Sequence, residues 1–195
     1  LLSLDATGGT AASIEDTLAT AEWLVESGKA RALGAYGFVA EQLVEARILA
    51  SAGYPRITVL DVPYNVLRRN DFDGDLRLVV NAQGMTVTPS HALEHGFLSG
   101  RHRTRVRPGA LSARSAQLAG SLNRRGTRTL RALDSVGAEL GVPNAAVAVA
   151  WLLAQRVVAA PIVNAYAPQH VEELVQGVGV RLSRGQLADI ARASE

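Results

Sequence analysis

The sequence contains no cysteine. That excludes disulfides, thiolate nucleophiles and Cys-ligated zinc or iron centres. It fits a reducing compartment, and cytoplasmic placement is the expectation. Lysine is almost missing as well: among 20 basic residues only Lys29 is a lysine, and the rest are arginine. With 18 acidic residues the net charge is +2, so the arginines create no large cationic surplus. They do cluster once, in Arg101-His102-Arg103-Thr104-Arg105-Val106-Arg107. Nucleic-acid binding needs such a patch beside a recognised module or stacking aromatics. Aromatics are only 5% of the chain and no such module is visible, so the cluster reads as a solvated loop with no nucleic-acid partner. Long apolar runs are missing too. Ala145 to Ala154 is the longest, far short of the ~20 residues that span a bilayer. No membrane partner is expected.

What is present is a core-forming chain. Hydrophobic residues make up 48% of 195 positions, enough for one domain over residues 1–195. The chain opens inside a strand-like stretch, Leu1–Leu4, and preceding sequence is expected. Ser13 reads as an N-cap with Asp16 in the capping-box position. Ile14, Leu18, Ala21 and Val25 then share a helical face, which Gly28 ends. Further strands are expected at Arg31–Gly34, Ile57–Leu60, Met85–Thr88 and Val157–Val163. Helices are expected near Ala40–Ser51, Phe72–Ala82, Arg124–Leu140, Ala145–Ala154, His170–Gln176 and Arg184–Ala193. Trp23 and Trp151 are assigned to the core. Strand-helix alternation with short connections implies right-handed crossovers and a parallel sheet. No G-x-G-x-x-G follows a strand, so the Rossmann fingerprint is absent. An open doubly wound sheet and a fragment of an eight-stranded barrel both fit this pattern, and a whole barrel takes roughly 250 residues.

Five stretches, in order, carry a family resemblance. They are Ile14-Glu15-Asp16-Thr17-Leu18 with Leu24–Lys29 and Leu33-Gly34; Tyr64-Asn65-Val66-Leu67-Arg68-Arg69; Leu93 with Gly96-Phe97-Leu98 and Gly100; Gly141–Leu153; and Ala159–Val163 with Pro168 and Glu172-Glu173. Together they resemble the aldo-keto reductase family. The resemblance implies an α/β fold, a (β/α)8 TIM barrel present here as about five strand-helix units. It implies NADP(H) as cofactor and reduction of small-molecule aldehydes or ketones. The family's Tyr acid and its Lys and Asp would fall before Leu1. The family His aligns with Asp5, a carboxylate where an imidazole normally positions the carbonyl. The cofactor positions align with Tyr36 and Gly37, Asp61, Ser90, Leu93, Asn164, Tyr166 and His170, mostly substituted. A cation for the 2′-phosphate is replaced by Tyr166, and a ring stacked on nicotinamide by Ser90. NADP(H) binding is therefore expected to be weak or absent, and catalysis altered or lost.

Independently of the family, Asp5, Tyr36, Asp61, Ser90 and Asn164 follow strands, at the rim where such barrels build sites. A pocket of these residues with Tyr64 and Tyr166 competes with a plain polar rim. Asp5 and Asp61 could share acid/base work if about 5–9 Å apart. His91, His95 and His102 lie in a glycine-bounded loop, and no metal is expected there. Ser90-His91 lacks a nucleophile elbow. Two function classes stay open: an aldo-keto-type oxidoreductase, and a non-catalytic or repurposed barrel that binds a small molecule or protein. A homo-oligomer is one expected way to cover the open edge of the first strand. The segment Arg101–Gly120 is expected to be the most mobile.

Overall fold

A computed structural model describes residues 1–7, 12–103 and 118–195. Most of the Arg101–Gly120 segment lies outside the described residues. The chain divides into two compact units, Leu1–Val62 with Asn70–Thr88, and Pro63–Arg69 with Pro89–Glu195.

The first unit is built on a sheet in the order β1-β2-β3-β4. The strands are β1 Leu2–Asp5, β2 Leu33–Tyr36, β3 Ile57–Pro63 and β4 Thr86–Ser90. The last residues of β3 and β4 belong to the second unit. β1 pairs parallel to β2, and β2 parallel to β3. Strand order therefore equals chain order, as the tendency of sequential strands to neighbour one another favours. The crossovers are α1 Ile14–Glu26, α2 Ala40–Ser51 and α3 Asp75–Ala82. Ser13 caps α1, its hydroxyl accepting from the Asp16 N–H at 3.0 Å, and Gly28 (φ 72°) turns the chain out of the helix. α1 buries Leu18 and Ala21. Trp23 is two positions beyond Ala21 and so faces away from that stripe. It is 57% exposed, with the Lys29 ammonium 4.3 Å from its ring centroid. Its assignment to the core is corrected: helical phase outweighed residue type.

The second unit is helical. A 3₁₀ segment, Glu94–Ser99, is followed by α4 Arg124–Leu140, α5 Asn144–Leu153, α6 Pro168–Gly179 and α7 Arg184–Ala193. α5 is apolar on all sides, and Ala145 through Leu152 are all buried, the pattern of a central helix. Among the described residues no single helix is long and apolar enough to cross a membrane. α6 lies close on α5 because Gly177 has no side chain. A Cβ there would sit 2.7 Å from the Ala146 carbonyl and 2.8 Å from Val149 Cβ. Gly177→Ala should cost about 1–3 kcal/mol by overpacking. Thermal unfolding of the variant checks this, and an unchanged midpoint would show that the helices part freely.

The strand expected over Val157–Val163 is not formed. Val158 makes an isolated bridge, and the Ile162 N–H donates to the Pro89 carbonyl at 2.8 Å. Proline cannot donate to a ladder. With Pro161 in one partner and Pro89 in the other, the pairing stops after this contact. α6 still follows, so the extended segment takes the strand's place in the last unit.

Candidate functional site

In the first unit the sheet register brings three of the sequence candidates side by side. Asp5 is opposite Tyr36, and Tyr36 is opposite Asp61. All three lie at carboxyl ends of parallel strands, with Tyr36 between the two carboxylates. Two strand spacings put the Cα atoms of Asp5 and Asp61 about 10 Å apart. Asp5 is exposed and accepts from both the Thr7 hydroxyl (2.6 Å) and the Thr7 N–H (2.7 Å). These two hydrogen bonds hold its carboxyl below the usual carboxylate range. Near neutral pH it is an anion and has no proton to give. Gly37 (φ 71°) follows β2 where an added Cβ would run into the Thr7 side chain. Its place is fixed by backbone and space. Asp61 Oδ1 is buried and has no hydrogen-bond partner among the described residues.

The second unit contains a cavity of about 430 Å³. Ser90, Leu93, Asn164, Tyr166 and His170 all line it, so five of the residues singled out in the sequence converge. Its apolar floor includes Leu93 and Val163, packed on Ala145 and Leu174. Ser90 Oγ is a buried atom with no hydrogen-bond partner among the described residues. Such an orphan costs about 1–3 kcal/mol and calls for a donor or acceptor from elsewhere. Tyr64 is not among the lining residues. It is 1% exposed, with its ring centroid 5.5 Å from that of Trp151. The aromatic pair belongs to the core of this unit. The Trp151 assignment to the core stands, at 4% exposure.

One wall of the cavity is the turn after β4, and its backbone is unusual. His91, Glu94 and His95 have φ of 54°, 47° and 57°. The left-handed region is uncommon for such residues, and each costs of order 1–3 kcal/mol unless the surroundings enforce it. A buried polar network supplies that enforcement. The Asn65 amide donates to the His91 carbonyl and to Glu94 Oε2, each at 2.8 Å. Its oxygen accepts from the N–H groups of Leu67 (2.8 Å) and Arg68 (2.9 Å). The Arg68 guanidinium grips Glu94 at 2.7 and 3.1 Å. Burial pushes the Glu94 carboxyl up, but the hydrogen bonds from Arg68 and Asn65, with the charges of Arg68 and His95, outweigh it and leave it below its ordinary value. A lowered native value means stability that is complete above the unfolded value, about 4.3, and lost as pH falls through the native one. Glu94→Gln should therefore flatten the loss of stability between about pH 5 and pH 3. Chemical denaturation across that range reads it, and an unchanged acid slope would remove Glu94 from the pH response.

The permanently charged side chain in the cavity lining, among the described residues, is Arg101. It donates to Glu173 Oε1 at 2.5 Å. Its neighbour Arg103 makes two hydrogen bonds to Asp134, at 2.6 and 2.8 Å. Two members of the basic cluster are thus spent on acids of the same chain, while 104–107 lie outside the described residues. Among the described residues no group of three or more His, Asp or Glu side chains is arranged to hold a metal ion.

The alternation of parallel strands and helices has a counterpart among known proteins. The model of the Aldo/keto reductase family matches residues 2–195. This chain belongs to the aldo-keto reductase family. A crystal structure of a thermostable aldo-keto reductase in complex with the inhibitor epalrestat superimposes with a TM-score of 0.73 at 20% identity, over 99% of this chain and 60% of that one. That likeness establishes the fold as part of a (β/α)8 barrel. A protein of Schizosaccharomyces pombe described as a putative voltage-gated potassium channel subunit beta is 27% identical over 171 residues, 85% of this chain and 50% of the relative. The chain thus spans half the length of this curated relative.

Three features of this aldo-keto reductase chain escaped sequence reasoning. The Asn65–Arg68–Glu94 network had one local signal, an Asn followed two and three residues later by backbone donors, as in an Asx turn. The gathering of the histidines around one cavity had none, because His170 is far along the chain from the others. The ion pair between Arg101 and Glu173 was equally unsignalled.

Proposed function

We propose that this chain forms the nucleotide side of an aldo-keto reductase-type barrel whose hold on NADP(H) is weak, so that ordinary carbonyl reduction is altered or lost. The observation that carries this reading is the lining of the second-unit cavity. The family's cofactor positions meet there as Ser90, Leu93, Asn164, Tyr166 and His170, and the charged neighbour Arg101 is paired with Glu173. NADP(H) fits this lining poorly. Its 2′-phosphate would find a phenol at Tyr166 in place of a cation, and its nicotinamide a hydroxyl in place of a ring. The orphaned Ser90 Oγ supports a cleft that still takes a polar small molecule. If hydride transfer survives, its substrate class is a small carbonyl compound, with NADP(H) supplying the hydride when bound. Asp5, an exposed carboxylate whose pKa the Thr7 hydrogen bonds lower further, is no proton donor for that step. Titration with NADPH and NADH at pH 8 tests the reading. Both should bind with similar, weak affinity, since nothing rewards the extra phosphate. A strong preference for NADPH would contradict it.

A second reading, a barrel that binds a partner protein or a second copy of itself, has its own support. Val171, Val175 and Val178 form an exposed stripe along α6, each more than half accessible. The fission-yeast relative is described as a channel subunit.

A further inference from the structure

We propose that the outer face of α4 is a docking surface for α1 of a second copy of this chain, with arginines set against glutamates. The proposal is independent of how the cavity treats NADP(H). It goes beyond the partner-binding reading by naming a contact distinct from the α6 valines. The two units carry opposite charge. Leu1–Val62 with Asn70–Thr88 holds eleven Asp or Glu against five Lys or Arg, a net of −6. Pro63–Arg69 with Pro89–Glu195 holds seven against fifteen, a net of +8. Surfaces of opposite potential on two copies steer each other into contact.

On α4 the charge forms a ladder. Arg124, Arg128 and Arg131 follow one another at i, i+4 and i+7, so they share a helix face, and all three are exposed. Among the described residues no carboxylate pairs with any of them. Arg68 and Arg103, by contrast, are answered by Glu94 and Asp134. Like charges four residues apart weaken a helix. Arg124 also stands in a first turn that contains no acid, at the positive end of the helix dipole. The chain itself offers nothing that offsets either cost. α1 has the mirror-image problem. It carries Glu22 and Glu26 four residues apart, and its last turn holds Glu26 and no basic residue. Among the described residues neither glutamate is paired. The two defects are complementary. In each helix the like charges are about 6 Å apart along the axis. With the helices antiparallel, Glu26 meets Arg124 while Glu22 meets Arg128, and both wrong-end charges are cancelled. Trp23, beside Glu22 and one turn from Glu26, adds a ring that is 57% exposed, the kind of surface on which guanidinium groups stack. Tryptophan and arginine are also the residues that dominate the centres of protein contacts. A nucleic acid would account for α4 and leave the acidic helix unexplained. Because the two faces differ, each copy offers both, and the contact repeats from copy to copy.

Sedimentation of the full chain reads this contact. The chain should self-associate, and the association should weaken at least tenfold between about 0.1 M and about 1 M NaCl, as the screening length falls from about 10 to about 3 Å. The double variant Arg124→Glu, Arg128→Glu should weaken it at least tenfold, and so should Glu22→Arg, Glu26→Arg. Each double variant alone sets like charges face to face. Mixed in equal amounts, the two should associate within threefold of the parent, since each then finds the opposite charge. Val175→Ser on α6 should leave the association within threefold of the parent. A chain that stays monomeric at both salt concentrations, association that ignores salt, or a mixture that does not recover overturns the proposal. Loss of association with Val175→Ser and not with the charge variants assigns self-contact to α6 and overturns it too. Should a double variant not fold, Arg128→Gln and Glu22→Gln take its place, each expected to weaken association at least threefold, and an unchanged value overturns the proposal. A monomeric parent that binds a single-stranded oligonucleotide through Arg124 and Arg128 would give the ladder to nucleic acid instead. Tight NADPH binding would defeat the weak-nucleotide reading alone and leave this one to the sedimentation result.

Discussion

Asn65→Ala should lower stability by about 3–4 kcal/mol. The residue is fully buried, at 0% exposure. Its side chain makes four hydrogen bonds: two donated, to the His91 carbonyl and Glu94, and two accepted, from the N–H groups of Leu67 and Arg68. A neutral hydrogen bond contributes about 1 kcal/mol net and one to a charged group about 1.5–3. The simple sum exceeds the expected loss because the four bonds share one network and do not add. Truncation also leaves the His91 carbonyl and one Glu94 oxygen short of a donor in a buried place. For a chain of this size each kcal/mol moves the midpoint by about 2–4 °C, so a drop of about 6–16 °C is expected. Arg128→Ala on an exposed face of α4 is the control and should stay within about 0.5 kcal/mol. A loss for Asn65→Ala near that of the control would mean that the turn after β4 holds its shape without the network. The cavity's strained wall would then need another cause.

Much of the fold was readable because periodicity reports burial directly. α2 runs over Ala40–Ser51, α4 over Arg124–Leu140 and α7 over Arg184–Ala193, each as the sequence suggested. The four strands follow chain order, as short connections between sequential strands favour. The misreadings have equally physical causes. Val157–Val163 is β-branched enough to suggest a strand, but Pro161 and Pro89 remove the donors a ladder needs. Trp23 looked like core by type, and its helical phase turned it to solvent. The ring contact of Tyr64 with Trp151, a partner 87 positions away, is one that no local pattern announces. At the site, the strand-end residues could be named because a parallel sheet puts its carboxyl ends on one side. What each one does depends on pairing that sequence does not carry. The hydrogen bonds that lower the Asp5 pKa come from Thr7, the neutralisation of Arg101 from Glu173, and the gathered histidines from a chain path that returns at α6.

The second large effect is on cofactor affinity. Micromolar binding corresponds to about 8 kcal/mol. A charged contact to the 2′-phosphate contributes about 1.5–3 kcal/mol, and stacking on the nicotinamide about 1 kcal/mol by analogy with aromatic pairs. On the proposed alignment with the family, Tyr166 would replace the cation, Ser90 the ring, and Tyr36, Gly37 and Asp61 the carboxamide clamp. Losses of about 4–6 kcal/mol are expected from these changes together, with incomplete additivity. Arg101 offers no easy compensation, because it would have to leave Glu173 to reach a phosphate. The deciding measurement is a calorimetric titration of the protein with NADPH at pH 8. A dissociation constant above about 100 μM, at least a hundredfold weaker than micromolar (about 2.7 kcal/mol), is the predicted result. A dissociation constant of a micromolar or below would contradict it and restore an ordinary NADP(H)-dependent reductase site.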